Sequence, residues 1–164
     1  MVPRINRILY ATDLSENAKH AFGYAADLAQ KYDAKMTILY VMEQMNHLSE
    51  IQVRDMMGEE QWKRIQDEKL DYLTDKIQTR LNDFCTEMDN HIDACSVLVD
   101  DIQILKGNPT EQILNQSREV DADLIVMGSY GHNIIQGALI GGTARKVVQS
   151  SEIPVLVVRL PKSG

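Results

Sequence analysis

The residues of this chain best suited to chemistry lie between Leu124 and Arg145, in the stretch LIVMGSYGHNIIQGALIGGTAR. Leu124 to Met127 are consecutive apolar residues, the pattern of a strand buried on both faces. The strand runs into Gly128, Gly131 follows, and Gly141, Gly142 and Thr143 precede a helix-like run through Val148. Glycine admits positive φ and lets backbone approach a ligand with no Cβ between. A helix opening at Gly141 aims unpaired N–H groups at the same space, where phosphate is favoured. Strand, glycine loop and helix start together can cradle phosphate, although the same glycines would serve equally as plain turn residues. Two standard phosphate motifs are missing. There is no Gly-x-x-x-x-Gly-Lys-Ser/Thr, and no Gly-x-Gly-x-x-Gly follows a candidate strand.

Other side chains add less. Asp13 stands at the end of an apolar run, where its carboxylate can accept hydrogen bonds from ligand hydroxyls or cap a helix. His132, directly after Gly131, could donate to a phosphate or simply face solvent. Arg145 and Lys146 read as surface charges on the last helix. No nucleophile elbow and no metal-ligand spacing occur. Phosphoryl transfer would need a positioned water and a charge clamp, and neither can be named. The pattern favours phosphate binding over efficient catalysis, with slow phosphoryl hydrolysis as the upper limit.

The elements that must position these residues follow from periodicity. Arg7 to Ala11 is a short strand, and Ser15 can cap a helix whose apolar face includes Ala18, Phe22, Ala25 and Ala29. Lys35 to Val41 is a second strand. Ser49 with Gln52 has capping-box spacing, predicting a short helix near 49–57. The methionines of that interval, Met42, Met45, Met56 and Met57, fit either an irregular packing contact or a lid, and the first reading is preferred. Glu59 to about Glu87 is a long amphipathic helix, on the order of 40 Å, whose first half would project or meet a partner chain. Residues 88–101 are hard to read. A strand over Ile102–Lys106, a helix capped by Asn108 with Pro109 in its first turn, and a closing strand Val155–Val158 complete the chain. The order predicts an α/β fold: an open, doubly wound parallel sheet of about five strands with helices on both faces. Ala11-Thr12-Asp13, Val41 and Met127-Gly128 all fall at strand carboxyl ends, where such sheets bind ligands.

The length of 164 residues suits one domain, 1–164, with an extended helical segment at about 42–100. A net charge of −7 argues against nucleic acid or an anionic membrane as partner. The opening MVPRINRILYATD shows no apolar leader, and no run approaches a membrane span. Cys85 and Cys95 lack metal spacing and are expected to be free thiols.

Gly128, two residues, Gly131, nine residues, Gly141 resembles the nucleotide motif of the universal stress protein family. The likeness covers nearly the whole chain, including Ala11-Thr12-Asp13, Tyr40-Val41, the glycine loop and the closing PVLVVR from Pro154. It implies an adenine nucleotide alpha hydrolase-like, Rossmann-like fold. It also implies a cytoplasmic homodimer, paired through Val155–Val158, that binds ATP or another adenosine nucleotide, alone or with Mg²⁺, in a stress response. By the same resemblance, Asp13 would hold the ribose and adenine side. Val41 and Met127 would line the adenine, with the Ala11 and Thr12 backbone nearby. Gly128 and Gly131 would shape the phosphate loop, and Gly141, Gly142 and Thr143 would meet the phosphates. ATP-binding members carry Ser or Thr straight after the third glycine; here Gly142 stands there and Thr143 comes one place later. The alternatives are a dimeric interaction protein of the same fold without nucleotide, and an adenylyl-transfer enzyme, which would need a second motif not visible here.

Overall fold

The computed structural model describes residues 1–87, 98–130 and 140–160. In chain order the elements are β1 (Arg7–Thr12), α1 (Glu16–Tyr32), β2 (Lys35–Met42), α2 (His47–Met57) and α3 (Glu59–Glu87). Then come β3 (Val99–Lys106), α4 (Pro109–Glu119), β4 (Leu124–Gly128), α5 (Gly142–Ser150) and β5 (Val155–Val158). The strands form one parallel sheet in the order β3-β2-β1-β4-β5. Strand order therefore reverses at β1, and the crevice of a doubly wound sheet falls between the carboxyl ends of β1 and β4.

Strand alternation sorts the apolar side chains into two cores. Ile8, Tyr10, Met36, Ile38 and Val126 pack against Ala21 and Phe22 of α1 and Leu73, Ile77, Leu81 and Phe84 of α3. Leu9, Ala11, Leu39, Ile125 and Met127 pack on the other face against Ile113 of α4 and Ala144 and Val147 of α5. Helices thus cover both faces, as the order of elements predicts. The helix starts are built as expected at Ser15, whose Oγ accepts from Ala18 N at 3.1 Å, and at Asn108, whose Oδ1 accepts from Glu111 N at 3.1 Å.

Several local expectations need correction. The α2 cap is Asn46, which accepts from Leu48 N at 2.9 Å, rather than Ser49 with Gln52; the helix begins earlier than the box predicts. β3 starts at Val99 and runs through Asp100 and Asp101, because an edge strand leaves such carboxylates in water. Met45 and Met56 are exposed, so contact filling describes only the buried Met42 and half-buried Met57. The α3 face continues outward only as far as Leu73; Ile65 and Leu70 are exposed. Cys85 is disulfide-bonded, which overturns the free-thiol expectation there, while Cys95 lies outside the described residues. Among the described residues no helix is long and apolar enough to cross a membrane.

Candidate functional site

The turn after β1 is knitted by its own side chains. Thr12 Oγ1 accepts from Leu14 N at 3.0 Å, and Asp13 Oδ1 accepts from Ser15 N at 3.0 Å. Between them Leu14 adopts a φ of 65°, a left-handed conformation that costs a non-glycine residue roughly 1–3 kcal/mol. The buried Leu14 side chain and a hydrogen bond from Arg80 of α3 to its carbonyl oxygen hold it there. Asp13 is consequently fixed, half-exposed, at the carboxyl end of β1. Its charge is felt on both sides. It assists burial in raising the Tyr10 phenol, and with Glu43 it assists burial in raising that of Tyr40.

Ala11 stands opposite Met127 across the β1–β4 ladder. Val41, on β2, packs into the same core as both, on the α4–α5 face. Thr12 turns the other way, with Tyr10, so only its backbone borders the crevice. Gly128 ends β4. A Cβ there would come within 3.1 Å of Asn17 Cγ and 3.3 Å of Ala18 N, so glycine lets the first turn of α1 approach. Gly141 caps α5 with φ −70°, and its N–H donates to Ser129 O at 2.6 Å. That bond brings the start of α5 to the end of β4. No side chain caps α5, so the first-turn N–H groups of Gly142 and Thr143 have no side-chain acceptor from an N-cap. Gly142 is exposed, with nothing within 4 Å of a Cβ placed on it. Among the described site glycines none has positive φ, so Gly128 and Gly141 serve close approach rather than a special backbone conformation. Gly131 and His132 lie outside the described residues. Arg145 and Lys146 are exposed on α5, as surface charges should be.

Asn17 is the residue that sequence reasoning missed. It is 4% exposed, in the first turn of α1, and its Oδ1 accepts from Tyr130 N at 2.7 Å and Ser129 Oγ at 3.2 Å. Its Nδ2 donates to Val158 O at 3.2 Å. One side chain thereby joins α1, the loop after β4 and the end of β5. The only signal in the sequence was a polar residue beside Ala18 on an otherwise apolar helix face.

Comparison with known proteins agrees with this architecture. The profile of the universal stress protein family matches residues 4–159. The stress response protein NhaX of Bacillus subtilis is 27% identical over 94% of this chain and 98% of its own. The universal stress protein MJ0577 of Methanocaldococcus jannaschii is 26% identical over 96% of each. Among solved structures, the universal stress protein UspA from Lactobacillus plantarum superposes with a TM-score of 0.74 at 24% identity, over 96% of this chain and 100% of its own. A universal stress protein in complex with cAMP superposes with a TM-score of 0.58 at 20% identity, over 95% of this chain and 98% of its own. The open sheet, its reversal at β1 and a profile match across nearly the full length lead to one conclusion: the chain belongs to the universal stress protein family.

Proposed function

We propose that this protein binds an adenosine nucleotide in the crevice between β1 and β4 and acts as a cytoplasmic, homodimeric regulator in a stress response. The observation that carries the reading is the uncapped start of α5, held by the Gly141–Ser129 bond beside the strand ends where sheet order reverses. Backbone N–H groups and the helix dipole there favour phosphate, which matters in a chain of net charge −7. The solved relative in complex with cAMP supports the same ligand class.

In this reading Asp13 accepts from the ribose hydroxyls, and Val41 and Met127 flank the base beside the backbone of Ala11 and Thr12. Gly128 and Gly131 shape the loop, and His132, Gly141, Gly142 and Thr143 meet the phosphates. Mg²⁺ would accompany a triphosphate by neutralising its oxygens. Hydrolysis would be slow at most, since no clamp for the γ-phosphate is assigned. β5 lies at one edge of the sheet with Val155, Leu156 and Val157 only half-buried. An apolar edge is a liability unless covered, and a second copy pairing along it would cover it.

A second reading keeps the dimer and leaves the crevice without nucleotide; Gly142, which brings no hydroxyl to the start of α5, is the observation in its favour. Denaturing the purified protein and identifying any released small molecule by mass spectrometry separates the two. Calorimetry with ATP, ADP and AMP then ranks affinities. Release of no nucleotide, together with no binding heat from any of the three, would establish the second reading.

A further inference from the structure

The carboxyl end of β1 has another face. Tyr10 and Thr12 line a cavity of about 40 Å³ on the α1–α3 side of the sheet. Its floor is apolar, made by Phe22, Ile38, Ile77 and Phe84. Its polar rim is Thr12, Lys19 and Arg80. The phenol of Tyr10 is already committed, donating to Ala18 O.

Arg80 is the notable member. It is half-buried between Ile77 and Leu81, and it donates to the Leu14 carbonyl, which uses one of the five N–H donors of a guanidinium. Among the described residues no carboxylate pairs with Arg80 or with Lys19. A partly desolvated cation without a counter-ion is costly, and an anion entering beside it would offset that cost. Arginine presents a planar fork that matches a carboxylate. The apolar floor favours an aliphatic tail over a second charge, which disfavours phosphate. The cavity volume corresponds to about three water-sized probes, at about 10–15 Å³ each, so it admits only a tail of two or three carbons, with the carboxylate left at the rim beside exposed Lys19.

We propose that this cavity is a second ligand site, separate from the nucleotide crevice, that takes a short aliphatic monocarboxylate of propionate or butyrate size. The carboxylate sits on Arg80 and Lys19 with the Thr12 hydroxyl beside it, and the tail lies over Phe22 and Phe84. Asp13, next along the chain from Thr12, opposes the anion by its charge. The site is therefore tuned by the same residue that the nucleotide reading assigns to ribose, but with the opposite sign.

The test is an NMR titration of the full chain with sodium butyrate, run beside sodium chloride at equal ionic strength and beside neutral butan-1-ol. Saturable shifts at Leu14, Ile77, Leu81 and Phe84 are expected from butyrate alone. Arg80→Gln should weaken butyrate roughly tenfold to a hundredfold, as for loss of a charge-assisted hydrogen bond. Lys19→Gln, on an exposed side chain, should weaken it about two- to fivefold. Asp13→Asn should leave butyrate binding no weaker while weakening nucleotide, so the two sites succeed or fail separately. Equal shifts from chloride, or equal butyrate affinity in Arg80→Gln, would overturn the proposal. Because Arg80 also holds Leu14, a misfolded Arg80→Gln shifts the decision to Lys19→Gln and butanol. Unchanged butyrate affinity in Lys19→Gln, or butanol binding as tightly as butyrate, then overturns it.

Discussion

Replacing Asn17 with alanine should destabilise the protein by about 2–4 kcal/mol, and the size follows from which groups lose partners. Asn17 makes three hydrogen bonds, to Tyr130 N, Ser129 Oγ and Val158 O. The Val158 carbonyl keeps a donor, because Ser129 N also bonds to it at 2.9 Å. The Ser129 hydroxyl can rotate, although its residue is 1% exposed and few acceptors lie in reach. The Tyr130 N–H, at 2.7 Å the shortest of the three, loses its acceptor outright. Two bonds of ordinary net worth, about 1 kcal/mol each, plus one part-buried amide left unsatisfied, at up to about 1–3 kcal/mol, bracket the estimate after the spared carbonyl is discounted. Urea unfolding of parent, Asn17→Ala, Ser129→Ala and the double variant measures it. Ser129→Ala alone should cost about 0.5–1.5 kcal/mol, and the double variant should cost less than the sum, since the two side chains share a bond. A loss under about 0.5 kcal/mol for Asn17→Ala, typical of an unimportant surface change, would refute the claim that this side chain ties the strand ends together.

The other predictions use the same geometry. Gly141→Ala puts a Cβ 2.9 Å from Ser129 O and should cost about 1–3 kcal/mol, whereas Gly142→Ala meets nothing within 4 Å and should be neutral or slightly stabilising; equal thermal shifts would contradict both placements. Asp13→Ala should lower adenosine-nucleotide affinity roughly tenfold to a hundredfold by calorimetry, with a smaller effect on folding, and equal affinity would remove Asp13 from the ribose. Gly142→Ser should improve ATP binding by about 0.5–1.5 kcal/mol relative to AMP, and an unchanged ratio would mean the phosphates lie elsewhere. Burial raises the Tyr10 phenol above its ordinary value, so its folded form keeps a proton that the unfolded chain releases near pH 10. Its contribution is complete below that pH and declines by up to about 1.4 kcal/mol per unit as pH rises further; the decline should be shallower in Tyr10→Phe, measured by urea unfolding between pH 9 and 11.

The sheet was legible because buried parallel strands write themselves as apolar runs, and Leu124–Met127 and Lys35–Val41 did so plainly. The edge strand β3 was only half legible, since Asp100 and Asp101 look like a break until one strand face is known to meet water. The meeting of Ala11, Val41 and Met127 on one face of the sheet was legible, because they share strand parity and strand ends. Its fastening was not. Asn17 acts on atoms of Ser129, Tyr130 and Val158, and no local pattern announces partners that only the closed sheet brings near. Leu14 was equally hidden, because a leucine in left-handed backbone breaks the residue preference on which turn reading depends.

The glycines of the motif, which look like one device in sequence, answer to separate constraints. Gly128 is required by α1, whose first turn occupies the space a Cβ would need. Gly141 is required by Ser129, because its amide bonds to the same carbonyl oxygen that would collide with a Cβ. Both are therefore explained by folding, and both would be needed in a relative that bound nothing. Gly142 differs: it is exposed, helical and unobstructed, a position where glycine weakens the helix and packing asks for no small residue. The fold supplies no reason for it. In the proposed reading a ligand would meet the first N–H groups of α5 in front of it, where no described side chain intervenes. Gly142 can therefore be varied with the least interference from folding, and binding measurements on its variants decide between the nucleotide-bound and nucleotide-free readings of the proposed crevice.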